Sequence, residues 1–196
     1  YGKGRSESAI GSYFQANPAA RDGFHIATKA GITQDADGKR CFDNSAAHLE
    51  AELEGSLARM GIDHVDLFYV HRRDASVSIE EATENLASLV KSGKTRAIGF
   101  SEIAPSSLRR AAKVHHIAAV QSEYSLATRS PELGLVQACE ELGTALVAFS
   151  PVTRSMLTDN PLRQDAISKV AFLSGNPRFQ EPNITENLRI TDEFRK

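Results

Sequence analysis

Apolar residues recur along this chain in two alternating rhythms. Short continuous runs alternate with longer stretches in which apolar positions return every three or four residues. The clearest run is Leu67-Phe68-Tyr69-Val70, which stops abruptly at His71-Arg72-Arg73-Asp74. Continuous runs suit strands buried on both faces, as in a parallel sheet. On this pattern strands are predicted over residues 24–29, 64–70, 95–100, 118–121 and 144–149. Between them lie helix patterns. One opens at Asn44 or Ser45, carries Leu49, Leu53 and Leu57 on one face and stops at Gly61. The next begins with the capping box Ser78…Glu81, has Ile79, Ala82, Leu86, Leu89 and Val90 on its apolar side and ends at Gly93. A short helix starts at Pro105-Ser106 and runs through Leu108, Ala111 and Val114. Pro131 opens another with Leu135, Val136, Cys139 and Leu142, closed by Gly143. Residues 31–43 read as polar loop. Residues 150–182 read as a long polar stretch without a strand, with a weak helical turn around Ala166 to Leu173 as the alternative. Asn183 is read as the cap of a last helix bearing Ile184, Leu188 and Phe194.

Repeated β/α units with right-handed crossovers leave two α/β architectures, a doubly wound sheet or a (β/α)8 TIM barrel. In both, ligands bind at the C-terminal edge of the strands, so His71 at the end of its run is either a site residue or part of a solvated turn. The chain begins at Tyr1-Gly2 without Met and closes on Phe194-Arg195-Lys196 inside a helix pattern. A complete barrel needs eight strands and roughly 250 residues. Residues 1–196 are therefore expected to be one barrel domain truncated at both ends, with the first strands and the last strand outside it.

Composition narrows the partners. With 41% hydrophobic and 24% charged residues the chain has the make-up of a globular protein. A net charge of −2 gives no basic footprint for nucleic acid and no polybasic membrane patch, and no run is long enough to span a bilayer. Cys41 and Cys139 lie far apart with no metal-type spacing, so no disulfide framework or metal site is expected and a reducing, cytoplasmic setting is the default. A small-molecule partner is the expectation; oligomeric state is not legible.

Several motifs then fall in one order. Tyr1-Gly2-Lys3-Gly4-Arg5-Ser6-Glu7, Ile26-Ala27-Thr28-Lys29-Ala30-Gly31, Val70-His71-Arg72-Arg73-Asp74, Gly93 through Ser101, Val120-Gln121-Ser122-Glu123-Tyr124-Ser125-Leu126 and Phe149-Ser150-Pro151 together resemble the aldo-keto reductase family. Each is weak alone; the ordered set at strand ends is specific.

The resemblance implies a (β/α)8 barrel with NADPH in the bowl at its C-terminal face and reduction of an aldehyde or ketone to the alcohol. It makes Tyr1 the proton donor, Lys29 the cation that lowers the Tyr pKa from its reference near 10, and His71 the residue that orients the carbonyl oxygen. It assigns the cofactor to Ser101 and Gln121 at the carboxamide, Phe149 stacked on the nicotinamide, and Ser150, Pro151, Val152 and Arg154 along the pyrophosphate. Two departures stand out. Glu102 occupies a position where the family often has Asn, and an ionised carboxylate only accepts hydrogen bonds. Thr153 and Ser155 stand where glycines are frequent. The family's catalytic Asp is expected before Tyr1 and its 2′-phosphate segment after Lys196. Arg72, Arg73 and Tyr124 are the local candidates for substrate contact. The alternative functions are a cofactor-binding regulatory or partner subunit on the same fold and, more remotely, an unrelated barrel lyase or isomerase.

Overall fold

The computed structural model describes residues 2–195. Helix α1 (Arg5–Ala16) comes first, followed by a 3-10 turn, Pro18–Gly23. Strand β1 (Ala27–Ala30) leads into a hairpin of β2 (Ile32–Gln34) and β3 (Arg40–Phe42), then α2 (Ala46–Met60). β4 (Leu67–Val70), α3 (Ile79–Lys91), β5 (Ile98–Ser101), α4 (Pro105–Ala112), β6 (Ala119–Glu123), α5 (Leu135–Leu142) and β7 (Ala145–Phe149) continue the alternation. Short helices α6 (Gln164–Ile167) and α7 (Ala171–Ser174) precede α8 (Asn183–Phe194).

The five longer strands form one sheet in the order β1-β4-β5-β6-β7. β1 to β6 of that sheet pair parallel, with Lys29 opposite Tyr69, Val70 opposite Phe100 and Ser101 opposite Gln121. Each expected strand is present, starting later than its apolar run does. The first residues of each run serve as the entry to the strand: Asp66 N and Leu67 N both donate to the Ile26 carbonyl, and Val65 bridges Thr95.

The described residues cluster into two compact units: residues up to Ser122 with Pro131–Val147, and Glu123–Ser130 with residues from Ala148 onward. The first unit has its core between sheet and helices. Phe68, Val70, Ile98, Phe100 and Val120 from the strands pack with Leu49, Leu53, Leu86 and Leu108 from the helices. The stripes of α2 and α3 read from the periodicity face the core, as do Leu108 and Ala111 of α4 and Leu135 and Cys139 of α5, whereas Val114 lies past the end of α4 and is 37% exposed and Phe194 of α8 is 61% exposed. Ser45 caps α2 by accepting from His48 N, and Ser78 caps α3 by accepting from Glu81 N, each satisfying an amide that the helix leaves unpaired. The second unit has a core of its own, Met156, Ile167, Leu173, Phe179 and Ile184, tied by the Arg178–Glu123 ion pair at 2.6 Å.

Three local expectations change. Residues 31–43 contain a hairpin, reversed at Asp35–Gly38, where Asp35 Oδ1 accepts from the amides of Asp37 and Lys39. The segment opening at Pro131 is a 3-10 turn, Ser130–Leu133, with the α-helix starting after Gly134. The cap of α8 is Pro182, and Asn183 is its first residue, with its amide donating to the Pro177 carbonyl.

Candidate active site

The parallel registers bring Lys29, His71, Ser101 and Gln121 to the same edge of adjacent strands in the first unit. This is the C-terminal edge, where strand ends hold side chains rigidly and the following loops vary. His71 N donates to the Ala30 carbonyl at 2.8 Å, extending the β1–β4 ladder one step past Val70. His71 is therefore fixed beside the strand end that carries Lys29.

The Lys29 ammonium lies over the ring of Tyr69, 5.2 Å from its centroid. A cation over an aromatic face is held by the ring's quadrupole. Tyr69 is only 2% exposed, and burial pushes its phenol above the usual range, so it remains neutral. The ring has room because residue 99 is glycine: a Cβ there would meet Tyr69 Cε1 at 2.6 Å and the Ala119 carbonyl at 2.5 Å. Tyr69 and Gly99 are thus the support on which Lys29 rests.

His71 has its pKa lowered from 6.5 to about 4, first by burial and then by the charges of Arg72, Lys29 and Arg40. It is a neutral imidazole at ordinary pH, able to donate one hydrogen bond and accept another. Arg72 turns back along the sheet, donating to the His71 carbonyl at 2.6 Å and to Ser101 Oγ at 2.9 Å. Ser101 is 2% exposed. With its oxygen accepting from Arg72, its own proton is left to donate. Arg40 comes from β3, where its guanidinium sits 5.6 Å from the Phe42 ring. Arg73 donates to the Val77 carbonyl and holds its own loop.

The loop after β4 is clamped from below by Asn44, which is fully buried. Its amide donates to the Arg72 carbonyl at 3.1 Å, its oxygen accepts from Asp74 N at 2.8 Å, and its own carbonyl accepts from Asn85. Gly31, at φ +96, makes the space: a Cβ there would lie 2.8 Å from the Asn44 amide nitrogen. Glu102, the position that departs from the family pattern, has φ 57, donates its amide to the Gln121 carbonyl and accepts from Ser122 Oγ at 3.3 Å.

Beside Lys29 on β1, Thr28 meets α1, where Glu7 is buried. Its carboxylate accepts from Thr28 Oγ1 and from Arg59 Nε, both at 2.6 Å. Glu7, Thr28, Lys29 and His71 line one cavity of about 440 Å³.

Within the second unit, Phe149 ends β7, and its carbonyl accepts from Tyr124 N at 3.3 Å. The following loop is unusual in its backbone: Ser150, Thr153, Arg154 and Ser155 all have positive φ, from 50 to 81. Such angles crowd any Cβ, which explains why glycine is favoured there. Side-chain bonds hold the strained loop, Thr153 Oγ1 to Ser125 Oγ at 2.9 Å and Ser155 Oγ from Leu162 N at 3.0 Å. Pro151 and Val152 are exposed at its tip. Arg154 lies over the Phe172 ring, 5.1 Å away, and among the described residues its buried Nε has no hydrogen-bond partner.

Tyr1 lies outside the described residues. Among those described, no group of three or more His, Cys, Asp or Glu is arranged to hold a metal, and no helix is long and apolar enough to cross a membrane. Four residues that shape the site, Glu7, Asn44, Tyr69 and Gly99, carry no sign of it in hydropathy. Only the glycines and the motif that contains Glu7 offered a signal.

A parallel β/α array with a lysine, a neutral histidine and a serine–glutamine pair along its C-terminal edge defines an α/β protein of the parallel-sheet class. The chain belongs to the aldo/keto reductase family, whose profile matches residues 1–196, and its sheet and flanking helices are those of the family's (β/α)8 barrel fold. It is similar to the aldo-keto reductase yakc [NADP(+)] of Schizosaccharomyces pombe, 36% identical over 200 residues, covering 100% of this chain and 58% of that protein. Among solved structures it resembles a glycerol dehydrogenase from Gluconobacter oxydans (28% identity, TM-score 0.81, 99% of this chain and 60% of that one). It also resembles an aldo-keto reductase from Bacillus halodurans in its holo form (28% identity, TM-score 0.73, 83% and 54%). The chain spans between half and two thirds of the length of these relatives.

Proposed function

We propose that the protein is an NADPH-dependent carbonyl reductase, in which Tyr1 gives a proton to the oxygen of an aldehyde or ketone. The observation that carries this reading is the strand-edge row of Lys29, His71, Ser101 and Gln121, in which His71 is neutral amid cationic neighbours. The charges of Lys29, Arg72 and Arg40 around His71 suit an anionic cofactor. The S. pombe relative carries NADP(+) in its name.

When bound, NADPH supplies the hydride. The rest is work for this chain's side chains. Lys29 favours tyrosinate over tyrosine by its positive charge, bringing a phenol of reference pKa near 10 closer to neutrality, where a general acid works best. His71 donates a hydrogen bond to the carbonyl oxygen and stabilises the charge that develops there. Being neutral, it does not compete with Tyr1 as the acid. Ser101 donates its free proton and Gln121 offers both donor and acceptor to the carboxamide, so the two fix which face of the ring meets the substrate. On the motif order, Phe149 stacks on that ring and Ser150, Pro151, Val152 and Arg154 follow the pyrophosphate.

The test is NADPH oxidation by the full-length protein with a panel of small aldehydes and ketones. Wild-type protein is expected to turn over. Tyr1→Phe is expected to abolish turnover by at least ~100-fold while NADPH still binds by fluorescence, the size of loss general acid catalysis supplies. Undiminished turnover in Tyr1→Phe would refute the mechanism.

A further inference from the structure

Glu7 is buried, whereas its ion-pair partner Arg59 keeps a side chain that is 38% exposed. A carboxylate taken out of water is costly unless it is paired and hydrogen-bonded, so the partners of Glu7 matter. The local structure is built around the pair. Arg59 of α2 reaches Glu7 between small residues: a Cβ on Gly4 would lie 2.7 Å from Arg59 Cδ, and one on Gly55 would lie 3.0 Å from its Nη1. Ser56 accepts from Arg59 Nη2 at 3.2 Å. Gly11 lets α1 approach so closely that a Cβ there would meet the Arg59 carbonyl at 2.3 Å. Among the described residues the second oxygen of Glu7 goes to no other cation. It accepts from Thr28 Oγ1 at 2.6 Å, in the residue before Lys29.

We infer that Glu7 is a positioning residue for the reaction, acting through the Thr28 hydroxyl to aim Lys29. The argument follows from strand geometry. Successive side chains leave a strand on opposite faces, so a bond that fixes Thr28 fixes the rotation of β1 about its axis and with it the direction of Lys29. Lys29 must keep its ammonium over the Tyr69 ring, 5.2 Å away, and close to the tyrosine it tunes. Arg59 in turn holds the carboxylate ionised and oriented; hydrogen bonds from Thr28, Arg59 and Ser56 keep Glu7 below the usual carboxylate range in spite of its burial. The inference rests on the carbonyl-reductase reading.

The experiment compares full-length wild type, Thr28→Val, Thr28→Ser and Glu7→Gln in NADPH oxidation from pH 5 to 10, with NADPH binding followed by fluorescence and folding by circular dichroism. Thr28→Val leaves the Glu7–Arg59 pair intact and removes only the hydroxyl. It is expected to lower kcat about tenfold, a loss typical of a small misplacement of a catalytic group. It is also expected to move the limb of the profile set by the tyrosine to higher pH, with NADPH affinity within about twofold of wild type. Thr28→Ser restores the hydroxyl and should recover most of the loss. Glu7→Gln keeps an oxygen for Thr28 but loses the charge for Arg59 and should fall between. If Thr28→Val lowers the melting temperature but leaves kcat and the pH profile unchanged, the link is only structural and the inference is overturned. Wild-type protein that oxidises no NADPH would overturn the reductase reading itself, and this inference with it. Wild-type turnover with an equally fast Thr28→Val removes this inference alone.

Discussion

A histidine that stays neutral among cations makes a pH prediction of definite sign. The His71 pKa is depressed to about 4 in the folded protein from 6.5. The unfolded chain therefore takes up a proton at residue 71 between those values while the folded one does not. Its contribution to stability is fully present above pH 6.5 and is lost as pH falls from 6.5 toward about 4. In the full-length protein, His71→Gln should flatten the dependence of unfolding free energy on pH in that window. An NMR titration should find the His71 ring unprotonated at pH 5.5; a midpoint near 6.5 would contradict the burial and charge argument. Gly99 carries a second residue-scale expectation. Gly99→Ala puts a methyl against both the Tyr69 ring and the Ala119 carbonyl, so it should destabilise the fold by about 1–3 kcal/mol. Because Tyr69 supports Lys29, the same change should cost activity beyond the stability loss, read as a drop in kcat at a temperature where the variant is fully folded.

At the scale of elements, the apolar rhythms made the strands and helices of the first unit legible because burial on two faces or on one stripe leaves a direct trace in sequence. Ser78 with Glu81 announced α3 for the same kind of local reason. The hairpin of β2 and β3 left no such trace. Its strands are three residues each and largely exposed, and the sign that was there, Asp37-Gly38, marks a turn without saying what it joins. Asn44 and Tyr69 were illegible as site residues for another reason: their importance lies in partners distant in sequence, such as Arg72, 28 residues from Asn44. Glu7 stood within a motif, but its bond to Thr28, 21 residues on, was not legible. In the loop after β7 Thr153 and Ser155 adopt positive φ angles, which carry a cost for any residue with a Cβ. That cost can be separated from the bond Ser155 makes to Leu162. Ser155→Ala loses the bond and keeps the strain, whereas Ser155→Gly loses the bond and relieves it. The Gly variant should be the more stable of the two by roughly 1 kcal/mol in chemical denaturation. Equal stabilities would mean that the left-handed angle is not costly there.

For the whole molecule, the family's barrel closes its sheet so that no strand presents an unpaired edge. Among the described residues the sheet runs from β1 to β7, and these two are its outer strands. β7 leaves Ala145, Val147 and Ala148 exposed although all belong to a strand of barrel type, and Val147 is 36% exposed. A parallel strand is apolar on both faces because both faces are normally covered. A polypeptide of these 196 residues alone would have β1 and β7 as outer strands and would leave apolar β7 surface in water. The core of the first unit, centred on Phe68, Phe100, Leu49 and Leu86, supplies burial but does not cover those edges. Edge pairing between copies is the cheapest way to cover them. The isolated polypeptide should elute as a mixture of associated species whose size rises with concentration, and should lose its circular dichroism signal gradually on heating. A monomer of constant size with one sharp melting transition would show that the helices alone hold the open sheet, and that barrel closure is not needed to stabilise this part of the fold.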